Sequence, residues 1–230
     1  MRRRCFLAAV VALLAGLSAA LTAQAPARPD FSGYWELRID GMAVPTAALT
    51  PAATAAMAGQ ARKDVDALIR CVNIGMPALM DDRNTLDIRQ SPSVVAVLAK
   101  SQSSTRYIYT DGRPHPDNDE LEATTNGHSV GGWEADTLVV DTIGLNDRGL
   151  TAIPGGGYRT PASRLTERFR LLANGQLSVR FTWDDPGVFA RPHSYEFRYT
   201  RVPNISEPRT HECFATDQDR AAFLRSGAGN

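Results

Sequence analysis

Apolar and polar side chains alternate in the stretch FSGYWELRI, where Phe31, Gly33, Trp35, Leu37 and Ile39 interleave with Ser32, Tyr34, Glu36 and Arg38. A period of two marks a strand with one buried face. The period then changes. Thr50 followed by Pro51 is a helix start, a capping hydroxyl before a proline at the first helical position. Met57, Ala61, Val65 and Leu68 recur at helical spacing, which predicts one amphipathic helix over residues 51–69. From Thr85 onward the pattern is strand and turn. TLDIRQ, SVVAVLAK and TRYIYT come first, then HSVGGW and TLVVDTI around the EAD turn. RLTERFRLL and QLSVRFTW follow, joined across ANG, and HSYEFRYTRV ends the series. Short connections favour antiparallel neighbours. The expected fold is therefore mainly β, an antiparallel meander of about nine strands closing into a barrel or nearly so. One N-terminal helix and a short C-terminal helix, Asp217 to Leu224 capped by Thr216, complete it.

Strand parity assigns side chains to faces. In Arg164 to Leu171, Leu165, Phe169 and Leu171 share a face with Glu167, while Thr166, Arg168 and Arg170 point the other way. Leu177, Val179, Phe181 and Trp183 align in the same manner, as do Tyr195, Phe197 and Tyr199. The expected interior is rich in aromatics and contains one carboxylate.

Composition places this domain in a compartment. Met1 and Arg2 to Arg4 precede an almost uncharged run from Phe6 to Ala20, and small residues at Ala23 and Ala25 form an A-x-A cleavage signal. These are the parts of a secretory signal peptide over residues 1–25, and a membrane anchor would need roughly 20 apolar residues. The expectation is a periplasmic or secreted chain, free of the membrane after cleavage, with residues 26–230 as a single barrel-like domain. Cleavage would remove three of 25 basic residues and leave 22 against 25 acidic ones, a net charge of −3. Such a surface has no electrostatic footprint for nucleic acid or anionic lipid. Two cysteines remain, Cys71 and Cys213, and exported thiols usually pair. A disulfide between them is expected; separately buried thiols or a zinc pair with His211 are the alternatives.

The chemistry concentrates in TDGRPHPDNDE, Thr110 to Glu120, which places two prolines, a histidine and four carboxylates in one loop. Pro114 and Pro116 restrict the backbone on both sides of His115. Rigid placement of a histidine serves acid–base chemistry, whereas a solvated connection would use the same residues only to face water. His128 starts the strand HSVGGW, where Gly131 and Gly132 allow close approach of a ligand or backbone. Glu167, on its apolar face, should have a raised pKa unless it is the buried partner of Arg113 or another arginine. Asp117, Asp119, Glu120 and Glu122 lack the glycine and terminal glutamate of a calcium loop, and PGGGY lacks the context of a phosphate loop. No metal and no cofactor are expected.

Gly33 and Trp35 form a G-x-W motif on the first strand, which is similar to that of lipocalin-type proteins. RYIYTDGRPHP, NGHSVGGWEADTLVVDTIGLNDR, LTERFR and DDPGVFARP together resemble a group of exported bacterial β-rich proteins of undefined function. The first resemblance implies a barrel for small molecules; the second implies one folded domain and assigns no residue a role. The leading expectation is a cofactor-independent enzyme that holds a small, partly apolar or aromatic molecule in a barrel cavity. His115, His128 and Glu167 would move protons, Arg113 would bind an anionic group, and Tyr109 and Trp133 would flank the ligand. Isomerisation, elimination and hydrolysis all suit such a set. A non-catalytic carrier or sensor would need only the lining, and an envelope component would need neither.

Overall fold

The computed structural model describes residues 28–38, 40, 42, 44–69, 75–81, 85–99 and 104–203. The signal peptide, Cys71, Cys213, His211 and the C-terminal helix of the sequence reading lie outside the described residues.

Nine strands form a closed barrel in which each pairs with its neighbours in chain order and β1 closes against β9. They are β1 Gly33–Arg38, β2 Thr85–Gln90, β3 Val94–Ala99, β4 Ser104–Tyr109, β5 His128–Glu134, β6 Thr137–Ile143, β7 Arg164–Leu171, β8 Leu177–Asp184 and β9 His193–Val202. Short turns join the antiparallel pairs β2–β3, β5–β6 and β7–β8. The β7–β8 hairpin closes on Gly175, whose positive φ of 79° suits glycine, and Leu172 N–H donates to Gln176 O at 2.8 Å.

One pair departs from the expected meander. β4 and β5 run parallel and share only two partner pairs, Ile108 with Ser129 and Tyr109 with Val130. A parallel pair cannot be joined by a hairpin, because the chain must return to the end of the sheet it started from. Residues 110–127 make that return, and the prolines flanking His115 keep its central part extended. The barrel is mixed, and β4–β5 is its weakest seam.

The interior is packed solid where the strands are described. Trp35, Phe169, Phe181, Trp183, Phe197 and Tyr199 are 0–1 % exposed, so none of them borders a space large enough for water. Phe181 stacks on Tyr195 at 4.9 Å and meets Phe197 edge-on at 5.2 Å. Each such aromatic stabilises the fold by roughly 1.5–3 kcal/mol on burial. Met76, Leu79 and Met80 close over the same core, and Tyr199 Oη donates to Met80 O at 2.8 Å. Buried Arg159 ties this segment to the long connection after β6, donating to Met76 O, Arg148 O, Asn146 O and Leu150 O.

Helix α1, Pro51–Ile69, forms where the capping pattern places it, and Thr50 Oγ1 accepts from Ala53 N–H at 3.1 Å. Its docked face is not the expected one. Met57 is half-buried as expected, but Ala61 is exposed and Val65 is 56 % exposed, while Ala53 and Asp64 are buried and Gln60 and Asp64 bond Thr151 in the connection after β6. Polar anchoring decides the orientation: Asp64 accepts from Thr151 N–H, Thr151 Oγ1 and Ala152 N–H at 2.8–3.1 Å. Three bonds to one carboxylate outweigh the small apolar gain of turning Val65 inward.

Candidate functional site

Parity within the strands sorts the candidate residues to opposite sides of one wall. On β5, Ser129 faces inward and His128 outward; on β6, Thr142 faces inward and Asp141 outward. Glu167 on β7 faces the interior with 0 % exposure, as its parity requires. It is paired there with Arg106 of β4. Nη1 donates to Oε1 at 2.9 Å and Nη2 contacts Oε2 in a bidentate fork. Of the remaining guanidinium donors, Nε and Nη2 go to Ser129 Oγ and Thr142 Oγ1 at 2.8–3.1 Å and Nη1 reaches Met76 Sδ at 3.6 Å; the two hydroxyls bond each other at 2.9 Å. Every strong donor of the arginine is engaged, which is the condition under which a buried ion pair is tolerated. Glu167 is the buried partner of an arginine, and Arg106 is a residue that sequence reasoning missed. Its signal was available, because Arg106 shares strand parity with Ile108.

His115 and His128 come together on the outer surface. Their Nδ1 atoms are 2.8 Å apart, and His115 Nε2 lies 3.0 Å from Asp141 Oδ2. Arg164 of β7 grips the same carboxylate from the far side, through Nε at 2.6 Å and Nη2 at 2.7 Å. His115 therefore sits on the outer wall over β5 and β6, not at the mouth of the barrel. The cause is the parallel crossover: a connection that runs back along the wall carries its midpoint past the middle of the strands.

With both rings neutral, the bond chemistry orders the protons. Asp141 is an acceptor, so His115 donates from Nε2; neutral His115 then has a lone pair on Nδ1 and accepts from His128 Nδ1. This leaves the lone pair of His128 on Nε2, which has no bond among the described residues. Burial would raise the pKa of Asp141, but the bonds from Arg164 and His115 outweigh it and hold the carboxyl below its ordinary range. His128 is held below the usual histidine range by burial first, then by the positive charges of His115 and Arg113. With both rings neutral, the chain Asp141–His115–His128 presents an imidazole whose free nitrogen accepts a proton.

Tyr109 and Arg113 complete the cluster. The Tyr109 ring stacks on His128 with centroids 5.3 Å apart, and the Arg113 guanidinium lies 4.1 Å from the Tyr109 centroid. Asp111 engages Arg113 at 2.5 Å, so most of its charge is already balanced. Trp133 is apart from His128 but shares a groove with Arg113 and Asp141. It stacks on Phe31 at 5.5 Å and lies five residues beyond His128 on β5, roughly 17 Å along the strand. Gly131 and Gly132 both line a groove over β5 and β6; a side chain at Gly131 would meet Ile108 and Leu138 at 3.0 Å, whereas one at Gly132 would meet nothing within 4 Å.

His128 lines a cleft of about 310 Å³ along the β4–β5 seam, with Tyr107, Tyr109, Thr124, Thr125 and Asn126. Asn126 spans the seam, donating from Nδ2 to Thr105 O at 3.1 Å, and its Oδ1 is buried without a bond among the described residues. A separate groove of about 390 Å³ over β5 and β6 runs past Arg113, Gly132, Trp133, Val139 and Asp141. Among the described residues no group of three or more His, Cys, Asp and Glu side chains is arranged to hold a metal ion. No protein-family model matches the chain, and comparison with curated proteins finds no significant relative.

Proposed function

We propose that this protein is an exported enzyme that performs metal-independent acid–base chemistry on a small, partly apolar or aromatic molecule held in the β4–β5 cleft. The observation that carries the reading is the directional chain from Asp141 through His115 to His128, which leaves Nε2 of His128 as the base. Its depressed pKa keeps the imidazole neutral near pH 7, the state a general base needs. Tyr107 and Tyr109 offer aromatic surface to a planar ligand, and the threonines beside them offer hydroxyls. His115, Asp141 and Arg164 act on the ligand only through His128, as positioning residues. In this reading Glu167 is no catalyst. It is sealed with Arg106 on the other side of the wall.

A closed β-barrel is compatible with a lipocalin-like ligand-binding protein, and that carrier is the second reading. The packed interior favours the cleft over an enclosed cavity as the place where a carried ligand would rest. Incubating the purified protein with a metabolite pool, and reading both retained and converted compounds by mass spectrometry, separates the two. Conversion by the parent is expected, and His128→Ala should slow it about 10²-fold or more. Conversion at the parent rate in that variant would remove His128 from the mechanism; retention without conversion by the parent would install the carrier. Export brings one further expectation, a Cys71–Cys213 disulfide in the mature chain. Non-reducing peptide mapping should recover one linked pair, and two free thiols would refute it.

A further inference from the structure

We propose that His115 and His128 form a pH-sensitive latch, which holds the crossover connection against the outer wall near neutral pH and releases it in acid. Among the described residues, His115 makes the hydrogen bonds that join residues 112–119 to the barrel strands. The fastening depends on a count of protons. With both rings neutral, His128 Nδ1–H donates to the lone pair of His115 Nδ1. One added proton is tolerated: His115 as an imidazolium donates from Nε2 to Asp141 and from Nδ1 to His128, which then carries its own proton on Nε2. A second proton is not. Two imidazoliums would direct N–H against N–H across 2.8 Å, with no acceptor between them.

The surrounding charges set where this happens. The connection contributes Asp111 and Arg113, which pair with each other; β4 contributes Tyr109, β6 contributes Asp141 and β7 contributes Arg164, which binds Asp141. These two ion pairs cancel, and among the described residues Asp141 is the carboxylate bonded to either ring. Burial and the neighbouring positive charges hold His128 below its ordinary value of 6.5. The docked state therefore binds fewer protons than the released one. Docking is at full strength above that ordinary value and is lost as pH falls through the depressed one. The latch does not require His128 to perform chemistry, so either idea survives the failure of the other.

Amide hydrogen exchange of the full chain from about pH 8 to about pH 4.5 tests it, after correction for the intrinsic pH dependence of exchange. Protection of peptides from residues 112–121, where Glu120 and Leu121 N–H bond Asp117 O, should fall by about tenfold per pH unit once His128 titrates. Peptides from β7 and β8 should hold. His128→Asn retains an acceptor for a protonated His115 and should keep the connection docked in acid. His115→Ala should release it at every pH. A flat profile in the parent, a fall shared with β7 and β8, an unaltered fall in His128→Asn, or a protected connection in His115→Ala would each overturn the latch.

Discussion

The wall formed by β4 to β7 carries a polar network on each face, built from residues that alternate along the same strands. Inside are Arg106, Ser129, Thr142 and Glu167; outside are His115 on the crossover, His128, Asp141 and Arg164. The inner network is closed: two charges cancel and the remaining guanidinium donors end on two hydroxyls and the Met76 sulfur, with both charged side chains at 0–1 % exposure. The outer one is open at one end, because neutral His128 has more lone pairs than its neighbours have donors. That single free nitrogen is the difference between a polar cluster that holds a fold and one that has capacity left for a ligand. Parity and burial place the two networks on opposite faces; the hydrogen-bond inventory tells the closed one from the open one.

The inner network should respond to mutation in stability. Glu167→Leu alone strands the Arg106 charge in a sealed interior, and breaking a buried pair in this way costs about 3–5 kcal/mol. Removing both charges in Arg106→Met with Glu167→Leu should recover most of the loss, since apolar replacement of a buried pair is often neutral. Urea unfolding of the two single variants and the double variant gives the comparison directly. Equal stability of Glu167→Leu and the parent would mean that the pair is not sealed as described.

A smaller effect is expected at Asp141, the outer carboxylate with 23 % side-chain exposure. Asp141→Asn keeps an oxygen for His115 but loses the charge that Arg164 grips, at a cost of about 1–3 kcal/mol. The pH dependence has a definite sign. The pKa of Asp141 is depressed in the fold, so its contribution is complete above the ordinary value of 3.8 and is lost as pH falls through the depressed one. Stability curves of parent and variant should thus converge below about pH 4. Curves that stay parallel would deny Asp141 its ionised role.

Most of the barrel was legible because strand parity is a local property. Nine alternating runs became nine strands, and Glu167 pointed inward as Leu165 and Phe169 required. What was not legible depended on partners distant in sequence. The parallel β4–β5 pair cannot be read from either strand alone, and it puts His115 on the outer wall and not in a barrel cavity with Glu167. The docked face of α1 follows Asp64, whose three donors lie on a loop nearly ninety residues away. Asp141 was passed over as an ordinary polar position in TLVVDTI. It gains its role from the register that sets it opposite Val130, two residues from His128.

The smallest effect should come from the outer wall's remaining ion pairs, and it guards the comparison against a simpler account in which any charge on this face matters. Arg168 and Glu134 are 2.7 Å apart, as close as Arg164 and Asp141, but their side chains are 44 % and 62 % exposed. Water and salt screen such a pair, and holding two long side chains in one geometry offsets much of the remaining attraction. Arg168→Gln should therefore leave the unfolding midpoint unchanged within error. It should also leave hydrogen exchange of residues 110–127 untouched, because neither residue reaches His115. A measurable loss in either readout would show that the outer face acts as one extended charge network, and the separate role given to Asp141 and Arg164 would have to be shared with their neighbours.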